Sequence, residues 1–234
     1  MAKIRMDYFT DPYCAWSWAF EPTLGAILAS ESDAVEVRYH YLPLIPHLAE
    51  SGMTGPKVAA EWERIGKLTG MPIDARLWRE HPPESTLAAD RAVVAASSLG
   101  ETAETRFLMA IRKLLMTEGR SADDADTLHE AARRAGIDPA TFDQSLRSVD
   151  ADERLRQDRF LADKYAITST PAVILTNAVG DRIVIQGPRD EVLFKRAIEV
   201  LRVEAALESG SITATPLMPE AKVPVVRDTF EFDV

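Results

Sequence analysis

Polar and apolar positions alternate over residues 3–9, Lys3-Ile4-Arg5-Met6-Asp7-Tyr8-Phe9, which is the period of a half-buried strand. Residues 16–30 then read as a helix with Pro22 inside it. A proline there lacks the backbone donor, which predicts an end or a kink about one turn in. Alternation returns in Val35-Glu36-Val37-Arg38-Tyr39-His40-Tyr41-Leu42 and stops at Pro43, so the chain opens β-α-β. From about residue 57 to 166 the spacing is helical. Val58, Trp62, Ile65 and Leu68 recur three or four apart, an alanine-rich helix covers 87–99, and 101–118 places Phe107, Leu108, Ile111, Leu114 and Leu115 on one side. Gly119 and Gly136 punctuate the next stretch and Asp138-Pro139 opens a short helix. A charged helix over 150–165 is expected to turn Leu155, Phe160 and Leu161 inward.

The strand pattern resumes at Ala172-Val173-Ile174-Leu175, directly after Pro171. Residues 182–186 follow the turn at Gly180-Asp181, so the two read as a hairpin. A last helix over 189–207 has Val192, Leu193, Ile198 and Leu201 as apolar positions. The predicted order is β-α-β, a helical insert, then β-β-α. This divides the chain into a sheet-bearing unit, 1–50 with 167–208, and a helical insertion, 51–166. Residues 209–234 read as an extended tail, whose alternating Phe230 and Phe232 suggest docking on this chain or on a second copy in a homodimer.

Composition narrows the class. The 234 residues are 46% hydrophobic and 27% charged, ordinary for a soluble globular protein. A net charge of −10 argues against nucleic-acid and anionic-membrane partners. No apolar run approaches a membrane span, and Lys3 and Arg5 lead into an amphipathic strand rather than a secretory leader. With one cysteine no intrachain disulfide can form, so a cytoplasmic location is expected. The four histidines lack metal-ligand spacing, and no metal site is expected. His40, alternating within a strand, reads as structural, and Asp90-Arg91 as a solvated pair of charges.

The single cysteine, Cys14, lies at the junction of the first strand and first helix, in Asp11-Pro12-Tyr13-Cys14-Ala15-Trp16-Ser17-Trp18. The free amides and dipole of a helix N-terminus favour a thiolate, the reactive form. The spacing is that of a C-x-x-C redox motif with Ser17 in place of the second cysteine. A hydroxyl does not resolve a mixed disulfide, which leaves monothiol work, completed by an outside thiol. Ser17 is a candidate donor to the Cys14 sulfur. Trp18 is expected to pack the first helix on the insertion and Trp16 to line the groove beside Cys14.

The order of elements, together with Asp11-Pro12-x-Cys14-x-Trp16-Ser17, Leu87-Ala88-Ala89-Asp90-Arg91-Ala92, Thr117-Glu118-Gly119-Arg120 and Ile167-Thr168-Ser169-Thr170-Pro171-Ala172, resembles the DsbA-like branch of the thioredoxin superfamily. Within it the chain is most similar to the FrnE-type dithiol–disulfide isomerases, over roughly residues 3–207. It departs from them at Ser17, where they usually carry the resolving cysteine. More distantly it resembles kappa-class glutathione transferases and 2-hydroxychromene-2-carboxylate isomerases.

The resemblance implies an α/β thioredoxin fold with a large all-helical insertion. It also implies a cis Thr170-Pro171 bond beside Cys14, with the Thr170 backbone pairing with substrate or glutathione. Pro12, Ala15 and Trp16 would flank that substrate. In the glutathione-using relatives the region matching Arg189 and Asp190 helps hold the γ-glutamyl carboxylate, although an ordinary acidic helix cap with a surface arginine is the favoured account of these two residues. Three functions fit. The first is a monothiol thiol–disulfide oxidoreductase or isomerase, with Cys14 as nucleophile and protein thiols or glutathione, not tightly bound, as partners. The second is a glutathione-dependent transferase or isomerase of small organic molecules. The third is a non-catalytic binding module.

Overall fold

β1 (Ile4–Thr10) sends side chains into two cores at once, so nearly all of it is buried. It lies between β2 (Val35–Tyr41), parallel to it with Ile4 opposite Val35, and β3 (Ala172–Thr176), antiparallel with Phe9 opposite Ala172. β4 (Arg182–Gln186) pairs antiparallel with β3, giving the order β2-β1-β3-β4. The computed structural model describes residues 3–210, so beyond Gly210 the tail and its expected docking lie outside the described residues. The two-residue period sorts the side chains. Ile4, Met6, Tyr8, Val173 and Leu175 meet α1 (Ala15–Ser30) and α9 (Glu191–Glu208) on one face, while Phe9 and Ile174 join Ala162 of α8 (Ala151–Lys164) and Ile167 on the other.

Between β2 and β3 the chain is helical: α2 (Gly55–Thr69), α3 (Arg76–Glu80), α4 (Leu87–Ser97), α5 (Glu101–Glu118), α6 (Ala125–Ala135) and α7 (Pro139–Ser148) precede α8. Aspartates open the later helices, as where Asp138 accepts from the Thr141 amide at 3.0 Å. Gly119, at φ 64°, closes α5 in the left-handed conformation that glycine adopts at least cost. Trp62, Trp78, Phe107, Ile111, Leu115 and Phe142 fill the core of the insertion. That core continues into Tyr13, Ala15 and Trp18, so the insertion rests directly on the loop that carries Cys14.

Some apolar positions face otherwise than their spacing suggested. α1 runs unbroken through Pro22, whose ring faces solvent and not the core. Phe160 is 74% exposed. α8 buries Leu155, Asp158 and Ala162, and Phe160 falls on the opposite side of that stripe. Leu68, at the last turn of α2, is also exposed, and α9 turns Phe194, Ala197, Ile198 and Leu201 inward while Val192 and Leu193 face out.

The α8 helix closes the outer edge of β2. The Tyr41 amide donates to Asp158 at 2.9 Å, and Arg154 donates to the Tyr39 carbonyl at 2.7 Å. His40 bridges two carboxylates, Nδ1 at 2.7 Å from Asp158 and Nε2 at 3.1 Å from Asp7, with Arg154 on Asp158 and Arg5 on Asp7. Burial opposes charge on His40, but the Asp158 and Asp7 carboxylates outweigh it and raise its pKa. Burial likewise pushes Asp7 up, and His40 and Arg5 pull it below its ordinary value. The histidine contribution is complete below its unfolded pKa of about 6.5 and is lost as pH rises through the raised folded value. The Asp7 contribution is present above about 3.9 and is lost as pH falls through the lowered one. Thermal unfolding should therefore show wild type more stable than His40→Gln at about pH 6, with the gap closing towards about pH 9. A gap constant with pH would contradict the ionised bridge.

Candidate active site

β1 ends at Thr10, and Asp11-Pro12-Tyr13 turns back so that the Cys14 amide donates to the Asp11 carbonyl at 3.0 Å. The Asp11 carboxylate fixes this turn, accepting from the Tyr13 amide at 2.6 Å and from the Leu44 amide at 2.7 Å. Tyr13 anchors it to the insertion. Its hydroxyl accepts from the Ala122 amide at 2.9 Å, and its ring meets Trp78 edge-on at 5.7 Å. Cys14 is the N-cap of α1, its sulfur accepting from the Ser17 amide at 3.3 Å. The thiol donates to the Thr170 carbonyl, also at 3.3 Å. The Thr170–Pro171 peptide is cis and leads into β3. The sulfur thus sits between the start of α1 and the loop before β3.

Cys14 is only 4% exposed. Burial pushes its thiol up by more than the Ser17 and Thr170 side chains and the Ser17 amide pull it down, and the Asp11 carboxylate adds to the rise. The resting form is therefore the thiol, not the thiolate that a helix N-terminus alone would favour. The magnitudes explain why: the dipole contributes about 0.3–1 kcal/mol, whereas desolvating an anion costs several. Beside the sulfur, the Ser17 and Thr170 hydroxyls are buried without a hydrogen bond of normal geometry. They are placed to donate once the sulfur is charged.

Pro12 and Ala15 are buried in the turn, and Trp16 is half-buried, with the Arg64 guanidinium 5.6 Å above its ring. Trp18 packs into the insertion core and donates to the Pro72 carbonyl at 3.1 Å. Cys14, Ser17, Thr170 and Pro171 come together. Arg189 and Asp190 are engaged at the start of α9, where Asp190 caps the helix through the Leu193 amide at 2.9 Å and Arg189 donates to its neighbour Pro188.

Beneath the turn lies a charged cluster that the sequence reading did not pick out. Arg112 of α5 is fully buried, donating to Glu21, to the Thr10 hydroxyl and, at 3.5 Å, to the Asp11 carbonyl. Burial raises Asp11 to about 6 despite the Leu44 and Tyr13 amides. Asp90, read as a solvated neighbour of Arg91, is fully buried with both carboxyl oxygens unpartnered, while Arg91 reaches out to Asp152 at 2.7 Å. The alanine-rich face of α4 packs so closely on α5 that the acid is enclosed with it. Burial, and then Asp11, push Asp90 well above the carboxylate range. Above the unfolded value of about 3.9, folding must take up a proton, so Asp90 costs stability at neutral pH. Asp90→Asn should raise the melting temperature at pH 7 by about 2 °C or more, with the gain fading towards about pH 4. Equal melting temperatures at pH 7 in calorimetry would contradict this.

A cleft of about 630 Å³ lies elsewhere, between β2 and α8, lined in part by Tyr39, His40, Arg154 and Phe160. Among the described residues no cluster of His, Cys, Asp and Glu is placed to hold a metal ion, and no helix is long and apolar enough to cross a membrane.

Comparison with known proteins gives a consistent picture. A family model described as Thioredoxin matches residues 8–194. A curated relative, the ClpXP adapter protein SpxH of Halalkalibacterium halodurans, is 29% identical over 175 residues, which are 72% of this chain and 57% of that protein. The chain thus spans little more than half the length of this relative. Among solved structures, a Nitrosomonas europaea protein assigned as a protein disulfide isomerase superposes with a TM-score of 0.70 at 23% identity, covering 88% of this chain and 98% of that one. The cytosolic disulfide reductase DsbM of Pseudomonas aeruginosa, solved with glutathione, gives 0.64 at 21% identity, with the same coverage. The shared fold is the DsbA-like form, a mixed sheet interrupted by helices.

Proposed function

The chain belongs to the thioredoxin family, and from that premise we propose that it exchanges thiols and disulfides through one cysteine, Cys14, by way of mixed disulfides. The observation that carries this reading is the position of the sulfur, capped by the Ser17 amide at 3.3 Å and facing Thr170 at 3.3 Å across the loop before β3. In the first step the Cys14 thiol loses its proton to solvent and the thiolate attacks a disulfide R–S–S–R′. A Cys14–S–S–R bond forms and R′–S⁻ leaves. In the second step an outside thiolate, from glutathione or a protein, attacks that bond and releases Cys14 as thiolate. Ser17 contributes hydrogen bonding and no electrons. The Thr170 backbone and the groove beside Pro12, Ala15 and Trp16 would hold an extended substrate, in a reducing compartment that regenerates the thiol. Glutathione serves as co-substrate, as the glutathione-bound DsbM relative suggests, and no resident cofactor is required.

The test is intact-mass analysis after incubation with oxidised glutathione. One glutathione adduct is expected on wild type, none on Cys14→Ser, and reduced glutathione should remove it. A chain that takes no adduct over the range in which it stays folded would overturn the reading. In that event a binding module remains, which the burial of Cys14 and the adapter name of the SpxH relative favour.

A further inference from the structure

Arg112 belongs to α5 of the insertion, yet every side-chain hydrogen bond found for it goes to the sheet-bearing part of the chain. Its partners are Glu21 on α1, Thr10 at the end of β1, and the Asp11 carbonyl. That carbonyl also receives the Cys14 amide, so guanidinium and active-site amide meet on one oxygen. A fully buried cation is retained only where its surroundings compensate it, and removing either partner of such a pair exposes the other's charge to the interior. Its Nε is buried without a partner, as are the Tyr8 phenol and the Ser17 hydroxyl, which neighbour one another beneath the sulfur.

The charged and titratable groups gathered around Arg112 and Cys14 can be taken element by element. Tyr8 comes from β1 and Asp11 from the turn. Glu21 comes from α1, paired to Arg112, and Asp90 from α4, beside Asp11. Arg112 comes from α5. Arg112 is the cation among them.

Resting on the reading of Cys14 as nucleophile, we propose that Arg112 is its positioning residue: through this one guanidinium the helical insertion both holds the turn that presents the sulfur and supplies the positive charge that a thiolate needs there. Glu21 moderates that charge. Removing Arg112 and removing the Glu21 charge should thus move the Cys14 titration in opposite directions, whereas damage to packing alone would move both the same way.

The experiment is a pH titration of the thiolate ultraviolet absorbance on the full chain, with Cys14→Ser as the blank, for wild type, Arg112→Met, Arg112→Lys and Glu21→Gln. Arg112→Met should shift the titration upward by about one pH unit or more. Arg112→Lys should stay near wild type, and Glu21→Gln should shift downward. Shifts of the same sign for Arg112→Met and Glu21→Gln, or no shift in either, would overturn the proposal. If Arg112→Met does not fold, Glu21→Gln decides alone: a downward shift supports the proposal, and an unmoved or raised titration overturns it. Glutathione adducts measured in parallel keep the two claims apart. Opposite shifts without any adduct would retain Arg112 and reject exchange, and adducts with unmoved titrations would do the reverse.

Discussion

Ser17→Cys should let this chain resolve a mixed disulfide on Cys14 internally and so reduce protein disulfides without an outside resolving thiol. Ser17 lies one helical turn after Cys14, its amide already on the Cys14 sulfur and its hydroxyl buried alongside. A thiol there sits where it can attack a Cys14–S–S–R bond, release R–S⁻ and leave an intrachain disulfide between Cys14 and the introduced sulfur, a two-electron step that the serine cannot perform. In an insulin-reduction assay with dithiothreitol the variant should exceed wild type by about tenfold or more, since resolution no longer waits on an outside thiol. Equal rates would mean that the buried site does not admit a second sulfur or a substrate.

The second large effect concerns stability. Trp78→Ala should cost about 3–5 kcal/mol, the range for truncating a large buried aromatic. Trp78 is 1% exposed and packs edge-on against both Trp62, at 5.8 Å, and Tyr13, at 5.7 Å. Tyr13 precedes Cys14, so the cavity opens directly behind the active-site turn. The Trp78 indole N–H has no partner, so no hydrogen bond is lost in Trp78→Phe, and that variant should lose well under half as much. Urea unfolding of the three proteins measures this. Near-equal losses for Phe and Ala would mean that the ring's packing is not what holds the turn.

The backbone order was legible because strands and helices impose different periods. Residues 3–9 and 35–42 alternate, 57–166 do not, and Pro171 and Gly187 bracket the returning hairpin. Cys14, Ser17 and Thr170 were legible as motifs, although their meeting in space depends on β1 and β3 being sheet neighbours. The cluster under the turn was not picked out. A charge in a helical pattern reads as solvated surface, and burial in a second core is a tertiary fact. A signal was nonetheless present. Arg112 is four residues from Leu108 and three from Leu115, and Asp90 is three and four from Val93 and Val94, so both lie on apolar faces. The resting state of Cys14 was hidden for the same reason. Spacing shows the helix N-terminus and its modest pull on the thiol, while the larger cost of burial is a tertiary fact, set by neighbours such as Thr170 far along the chain.

The proposed exchange requires that Cys14 react as part of the folded site and not as a core thiol exposed by unfolding. Its most direct test is the rate at which Cys14 reacts with oxidised glutathione at fixed pH across sub-denaturing urea. A measurable rate without urea, level until global unfolding begins, is expected. A rate that vanishes without urea and climbs with the dependence of global unfolding would contradict it.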